Sequence, residues 1–183
     1  KSAKIIDPTS SFHGNNLDIL IRNGIIDNIG KNISAPKAKI ISHQKLCISP
    51  GWFDSSVSFG EPGYEERETL SHGLQVAAAS GFTHIGYNTN TNPLPISKAD
   101  ISFLLRSAAD TPTSLHPKAH ITVQDNAQQL AELYDLSAAG AVSFSNHKKS
   151  IDNPHLLLLA LQYSRGFTAL VESFPLDPQL AAN

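Results

Sequence analysis

The sequence predicts an α/β protein, and three observations carry that prediction. Residues 1–49 hold short apolar runs grouped around an Asn23-Gly24 turn, a pattern of β-hairpins. At Pro50-Gly51 the pattern changes. Beyond it, strand-like and helix-like stretches alternate in units of roughly 25–30 residues, the signature of a parallel sheet covered by helices.

In the first region, Leu17, Ile19 and Ile21 fall on one face of a strand, and a second strand runs from Ile25 to about Ile29 before Gly30. Asn23 and Gly24 both tolerate positive φ, so they suit a two-residue hairpin turn. Ile40-Ile41 and Leu46-Cys47-Ile48 predict further short strands. A lone hairpin is marginal in water, so this small sheet needs more strands or a neighbour to cover it.

In the second region a strand is expected over Trp52–Phe59, ended by Pro62-Gly63. A helix over about Glu66–Ala79 carries an apolar stripe of Leu70, Leu74, Ala77 and Ala78, with Gly81 as its stop. Phe82 to about Thr89 is the next strand. Ser97 and Asp100 form a capping box for a helix lined by Ile101, Leu104, Leu105 and Ala108. A strand is predicted over Lys118–Val123, then a helix from Asn126 to about Ala138 with Leu130, Leu133 and Tyr134 inward. Ala141–Ser145 reads as a strand. Asn153-Pro154 opens a helix to about Arg165, because proline suits a first helical position. Thr168–Phe174 is the last strand. Five strands interleaved with four helices fit either an open doubly wound sheet or part of a (β/α)8 barrel. A full barrel needs about 250 residues.

Composition narrows the function classes. The chain of 183 residues has 40% hydrophobic and 16% charged residues and a net charge of -2, with no basic block. Nucleic acid and anionic membrane surfaces are therefore not expected partners. No apolar run reaches the ~20 residues of a membrane span. The lone cysteine, Cys47, excludes an intrachain disulfide and fits a reducing cytoplasm. Between Leu46 and Ile48 it reads as a buried structural thiol. The chain begins at Lys1 and contains no methionine, so it is expected to be part of a longer protein.

Working residues in parallel α/β folds sit where strands end and turn toward helices. The first strand of the alternating region offers Asp54, Ser56, Ser58 and Glu61 there. The second offers Asn88, Asn90 and Asn92, the fourth Ser145 and Asn146, and the fifth Glu172 and Ser173. His147 follows the fourth strand. His13, His43, His72, His116, His120 and His155 lie elsewhere; His116 and His120 have His-x-x-x-His spacing without a third ligand beside them in sequence, and no His-x-His pair occurs. A catalytic zinc needs at least three imidazole or carboxylate donors, so these residues predict no metal site. The Asn88–Asn92 cluster also reads as an ordinary turn before Pro93. Neither a Gly-x-Ser-x-Gly elbow nor a Gly-rich phosphate loop is present.

The segment from Ser49 onward resembles the dihydroorotases of the amidohydrolase superfamily. The resemblance rests on Pro50-Gly51-Trp52-Phe53-Asp54, Glu61-Pro62-Gly63, Glu68-Thr69, Ser80-Gly81-Phe82-Thr83, Asn90-Thr91-Asn92-Pro93 and Ala139–Ser145, in that order. It implies an α/β fold: the N-terminal part of a (β/α)8 TIM barrel over residues 50–183, preceded by a small β-sandwich segment over residues 1–49, with the barrel incomplete. It also implies that two metal-binding histidines align with Ser56 and Ser58, a substrate-binding arginine with Gly60, an acidic metal ligand with Asn146, and a further histidine near Ser173. Of the substrate contacts it implies, Asn90 alone is matched. Two metals in such enzymes generate hydroxide and polarise the ring amide. A neutral serine hydroxyl is a poor zinc ligand, so the expectation is a homologue that binds no zinc and has no catalytic residue.

That expectation gives the chain a structural or regulatory role in pyrimidine biosynthesis, as a homo-oligomer or with aspartate transcarbamoylase. Two alternatives stand beside it. One is a working dihydroorotase that opens the cyclic amide of dihydroorotate to carbamoyl aspartate, with ligands from segments outside this chain. The other is a small-molecule binding module built around Asn90.

Overall fold

The computed structural model describes residues 1–125 and 128–181. The chain divides into two compact units, Lys1–Gly51 and Trp52–Asn183.

The first unit is a four-stranded sheet with order β3-β2-β1-β4. Its strands are β1 (Ala3–Ile5), β2 (Asn16–Arg22), β3 (Ile25–Gly30) and β4 (Cys47–Ile48). The β2–β3 hairpin turns at Asn23 and Gly24, whose φ values of 49° and 76° are those the turn demands. Two expectations fail here. Ile40-Ile41 is not a strand, and both side chains are exposed. Cys47 is exposed rather than buried, because in the two-residue strand β4 alternation turns Ile48 inward and Cys47 outward.

The second unit is a parallel five-stranded sheet with order β5-β6-β7-β8-β9. The strands are β5 (Trp52–Val57), β6 (Phe82–Tyr87), β7 (Ser114–Ala119), β8 (Ser143–Ser145) and β9 (Leu170–Glu172). Between them run α1 (Leu70–Ala79), α2 (Lys98–Ser107), α3 (Leu133–Ala138) and α4 (Pro154–Arg165); a short α5 (Pro178–Ala181) follows. Each strand pairs with the next in sequence, and the order never reverses. A doubly wound sheet requires such a reversal, so the arrangement is that of a half-barrel.

Local chemistry sets the helix ends. The Ser97 hydroxyl accepts from the Asp100 amide at 3.3 Å, and Asp100 Oδ2 accepts from the Ser97 amide at 2.8 Å. Asn153 Oδ1 accepts from the His155 amide at 3.0 Å, with Pro154 opening α4 as its fixed φ allows. Helix α1 starts later than expected, at Leu70, because Thr69 caps it by accepting from the His72 amide.

Strands and helices enclose two buried clusters. Leu70, Leu74, Ile85, Tyr87, Leu104 and Leu115 pack together under α1 and α2. Ile101, Ile121, Leu133, Leu136, Phe144 and Ala160 form the second. Burying side chains of this kind stabilises by about 1.5–3 kcal/mol each.

Two predicted elements shift. The third strand of the sheet is Ser114–Ala119, not Lys118–Val123, and it contains Pro117 in a central strand. The proline lacks an amide donor, but its carbonyl still accepts from the Val142 amide at 2.9 Å. The helix expected from Asn126 is confined to Leu133–Ala138. Asn126 and Ala127 lie outside the described residues. Thr122 bridges Leu130, and the Ala131 amide donates to the Ile121 carbonyl at 2.8 Å, so the chain doubles back before α3. Tyr134 is 56% exposed rather than inward, edge-on to Phe167.

Candidate functional site

Alternation along the strands decides which polar residues meet. On β6, Ile85 and Tyr87 point to the helix-side core, so His84 takes the other face, and Asn88 continues that face beyond the strand end. Asn88 is 5% exposed and donates from its side-chain nitrogen to the hydroxyls of Ser56 at 3.2 Å and Ser58 at 3.1 Å. The Ser58 hydroxyl donates to Asn90 Oδ1 at 2.8 Å. Four of the residues singled out in sequence thus form one connected ladder at the ends of β5 and β6.

Other expected residues have local duties. Asp54 Oδ1 accepts from the Ser56 amide at 3.0 Å. Glu61 Oε2 accepts from the Leu70 amide at 2.7 Å, so this carboxylate serves the start of α1. Tyr87 supports the same loop, donating its hydroxyl to the Glu61 carbonyl at 2.6 Å and accepting from the Gly60 amide at 3.2 Å. Burial pushes the Tyr87 phenol up. Asn92 contributes its backbone, its amide donating to the Pro62 carbonyl at 2.9 Å, and its side chain is not part of the ladder. Ser145 accepts at its hydroxyl from the His147 amide and at its carbonyl from Thr89. Asn146 is buried and partnered at both side-chain atoms: Oδ1 accepts from the Ile121 amide at 3.1 Å, and Nδ2 donates to Thr122 Oγ1 at 3.0 Å. Ser173 is exposed, apart from these residues.

Two further groups bring in residues that the sequence did not single out: Lys118 and Ser143 beside the expected Glu172, and His84 beside His116. Lys118, only 6% exposed at its side chain, donates to Glu172 Oε2 at 2.6 Å, while the Ser143 hydroxyl donates to Oε1 at 2.6 Å. This links β7, β8 and β9. His84 Nδ1 and His116 Nε2 lie 3.0 Å apart on adjacent strands, and Phe53 sits edge-on to His116. Burial first, then the neighbouring His84, hold the His116 imidazole below its usual value. Face parity on β6 was the available signal for His84, since it shares the face of Asn88.

The remaining histidines are dispersed. His13 accepts from the Asp7 amide, and His72 on α1 pairs at 2.7 Å with Glu68, which precedes the helix. His43 and His155 are exposed. His120 is buried, with Nδ1 2.7 Å from the Thr122 carbonyl and Nε2 3.3 Å from Asp125 Oδ1. Burial holds it below its usual value despite that carboxylate. Among the described residues, no group of three or more His, Cys, Asp or Glu is placed to hold a metal ion. The Ser56, Ser58, Asn88 and Asn90 side chains are neutral donors and acceptors engaged with one another, and Asn146 is consumed by its own partners. These residues do not fit a zinc ion, which takes thiolate, imidazole or carboxylate donors.

The fold and the rim of polar strand ends define part of a (β/α)8 barrel of the kind that carries its site at the C-terminal face. The solved structure of L-hydantoinase (dihydropyrimidinase) from Arthrobacter aurescens, a TIM barrel, superposes with a TM-score of 0.66 at 15% identity, covering 93% of this chain and 39% of that one. The dihydro-orotase-like family model matches residues 45–175, and the chain belongs to that family. Dihydroorotase of Geobacter sulfurreducens is 34% identical over 182 residues, covering 98% of this chain and 43% of that protein. Dihydroorotase of Acetivibrio thermocellus is 32% identical over 182 residues, covering 99% and 42%. The chain therefore spans less than half the length of these relatives. No described helix is long and apolar enough to cross a membrane.

Proposed function

We propose that this chain is a dihydroorotase-family homologue with a structural or regulatory role in pyrimidine biosynthesis, without metal-dependent hydrolysis. One observation carries the reading. At the end of β5, where the family resemblance places two metal-binding histidines, Ser56 and Ser58 are hydrogen-bonded into a ladder with Asn88 and Asn90. Converting a metal centre into a self-satisfied hydroxyl–carboxamide ladder removes the water activation and carbonyl polarisation that cyclic-amide hydrolysis uses. The scaffold remains, from the α1 start held by Glu61 to the Ser97–Asp100 cap.

The role we infer is assembly, either of the protein with itself or with a partner such as aspartate transcarbamoylase.

Metal analysis of the protein purified with its full natural chain tests the catalytic half. The expected result is far less than one zinc per chain and no ring opening of dihydroorotate with added zinc. One or two zinc ions per chain, or turnover, would overturn the reading.

A further inference from the structure

A cavity of about 260 Å³ opens beside the polar ladder, at the C-terminal ends of β6 to β8. Its wall includes three cationic side chains, Arg67, Lys148 and Lys149, against one carboxylate, Asp125. The side-chain carboxylate and amide oxygens there are already spent. Asp125 Oδ1 faces His120, and Oδ2 is held by Lys149. Asn90 Oδ1 accepts from Ser58, and Asn146 Oδ1 accepts from the Ile121 amide.

Donors, by contrast, are left over. Among the described residues, Lys148 Nζ, the Asn90 side-chain nitrogen and the Tyr64 hydroxyl have no hydrogen-bond partner. The Arg67 guanidinium carbon sits 4.4 Å from the Tyr64 ring centroid, and its Nε is 4.0 Å from Glu66, so most of its fork is unspent. Among the lining side chains Lys149 and Asp125 cancel, and Arg67 and Lys148 remain in excess, with the exposed Glu66 outside the lining as the only carboxylate within ion-pair reach of Arg67 among the described residues.

We propose that this cavity binds the phosphate group of a small molecule. A phosphate monoester carries close to two negative charges and three strong acceptor oxygens, which matches both the surplus charge and donors converging from several elements. A single carboxylate has one charge and two oxygens. The arginine fork and the lysine ammonium are the groups that hold phosphate most effectively. The volume lies just below the usual range of ligand pockets, so a phosphate with a few attached atoms fills it. The proposal does not depend on whether the chain hydrolyses anything.

His147 supplies an internal reporter. Burial, then the charges of Lys148 and Lys118, hold its imidazole below its usual value. A dianion seated beside it favours the protonated form and moves that titration upward.

The test is NMR titration of the whole chain with inorganic phosphate, glycerol 3-phosphate and malonate, following the His147 ring signals. Saturable phosphate or ester binding is expected, with an upward shift of the His147 titration. Arg67→Ala and Lys148→Ala should each weaken binding about tenfold, while Lys37→Ala in the first unit leaves it unchanged. Both replaced side chains are exposed, so folding is preserved. Tighter binding of the ester assigns an organic phosphate, and tighter binding of inorganic phosphate assigns the free ion. Malonate binding as tightly as either, no saturation at tens of millimolar, or indifference to both substitutions would overturn the proposal.

Discussion

The Ser58 hydroxyl donates to the Asn90 side-chain oxygen at 2.8 Å, joining the ends of two parallel strands through residues 32 apart in sequence. Asn88, deeper in the same ladder, donates to both Ser56 and Ser58. The depth difference sets an order of cost. Ser58→Ala leaves Asn90 accessible to water and should cost about 0.5–1 kcal/mol, whereas Asn88→Ala strips a buried partner from two hydroxyls and should cost about 1–2 kcal/mol. Urea denaturation of the two variants checks the order; equal midpoints would contradict it.

The Lys118–Glu172 pair behaves differently from a surface ion pair, because Lys118 is almost fully buried. Glu172→Ala leaves an ammonium uncompensated and should destabilise by about 2–4 kcal/mol. Replacing both partners with apolar residues, Lys118→Met with Glu172→Leu, should recover most of that loss. A double variant no more stable than Glu172→Ala would show that the pair is not the unit that matters.

Gly63 has φ of 98°, and a Cβ built there lies 2.1 Å from the Asn92 carbonyl oxygen. That neighbour is backbone and cannot rotate away. Gly63→Ala should therefore cost about 2–4 kcal/mol, combining overpacking with a disfavoured φ. Thermal melts of the purified variant read this directly, and an unchanged midpoint rules the contact out.

Stability should fall on mild acidification. His116, His120 and His147 are each held below the ordinary value of 6.5, in every case first by burial. Between the folded values and about 6.5, the unfolded chain binds more protons, so stability rises with pH in that window. The contribution is full above 6.5 and is lost as pH falls below it. The urea midpoint should be lower at pH 5.5 than at pH 7.5, and His120→Gln should flatten the difference. A midpoint that climbs on acidification contradicts the assignment.

Cys47 is exposed, with its thiol 3.5 Å from the Lys45 carbonyl. A maleimide should label the native protein as completely as the unfolded one. Labelling that requires denaturant would restore the buried thiol that the Leu46 and Ile48 neighbours predicted.

Much of this was legible in advance, for particular reasons. The Ser97–Asp100 and Asn153-Pro154 signals are short-range chemistry, and both helices begin where they point. The Asn23-Gly24 turn is equally local. The third strand of the sheet is Ser114–Ala119 rather than Lys118–Val123, with Pro117 contributing only its carbonyl to the ladder, a placement that local pattern does not indicate. The stretch before α3 was misread because its apolar residues serve a doubled-back loop as well as they would a helix.

By itself, then, the sequence determined the order of elements, the starts of α2 and α4, and the presence of serine and asparagine along the strand ends. Those follow from local backbone chemistry and hydrophobic period. Tertiary structure alone decided which polar groups meet: Ser58 with Asn90, His84 with His116, and Lys118 with Glu172, separated by 32, 32 and 54 residues. Parallel pairing brings residues a whole βα unit apart into register, and face parity within each strand selects which of them touch.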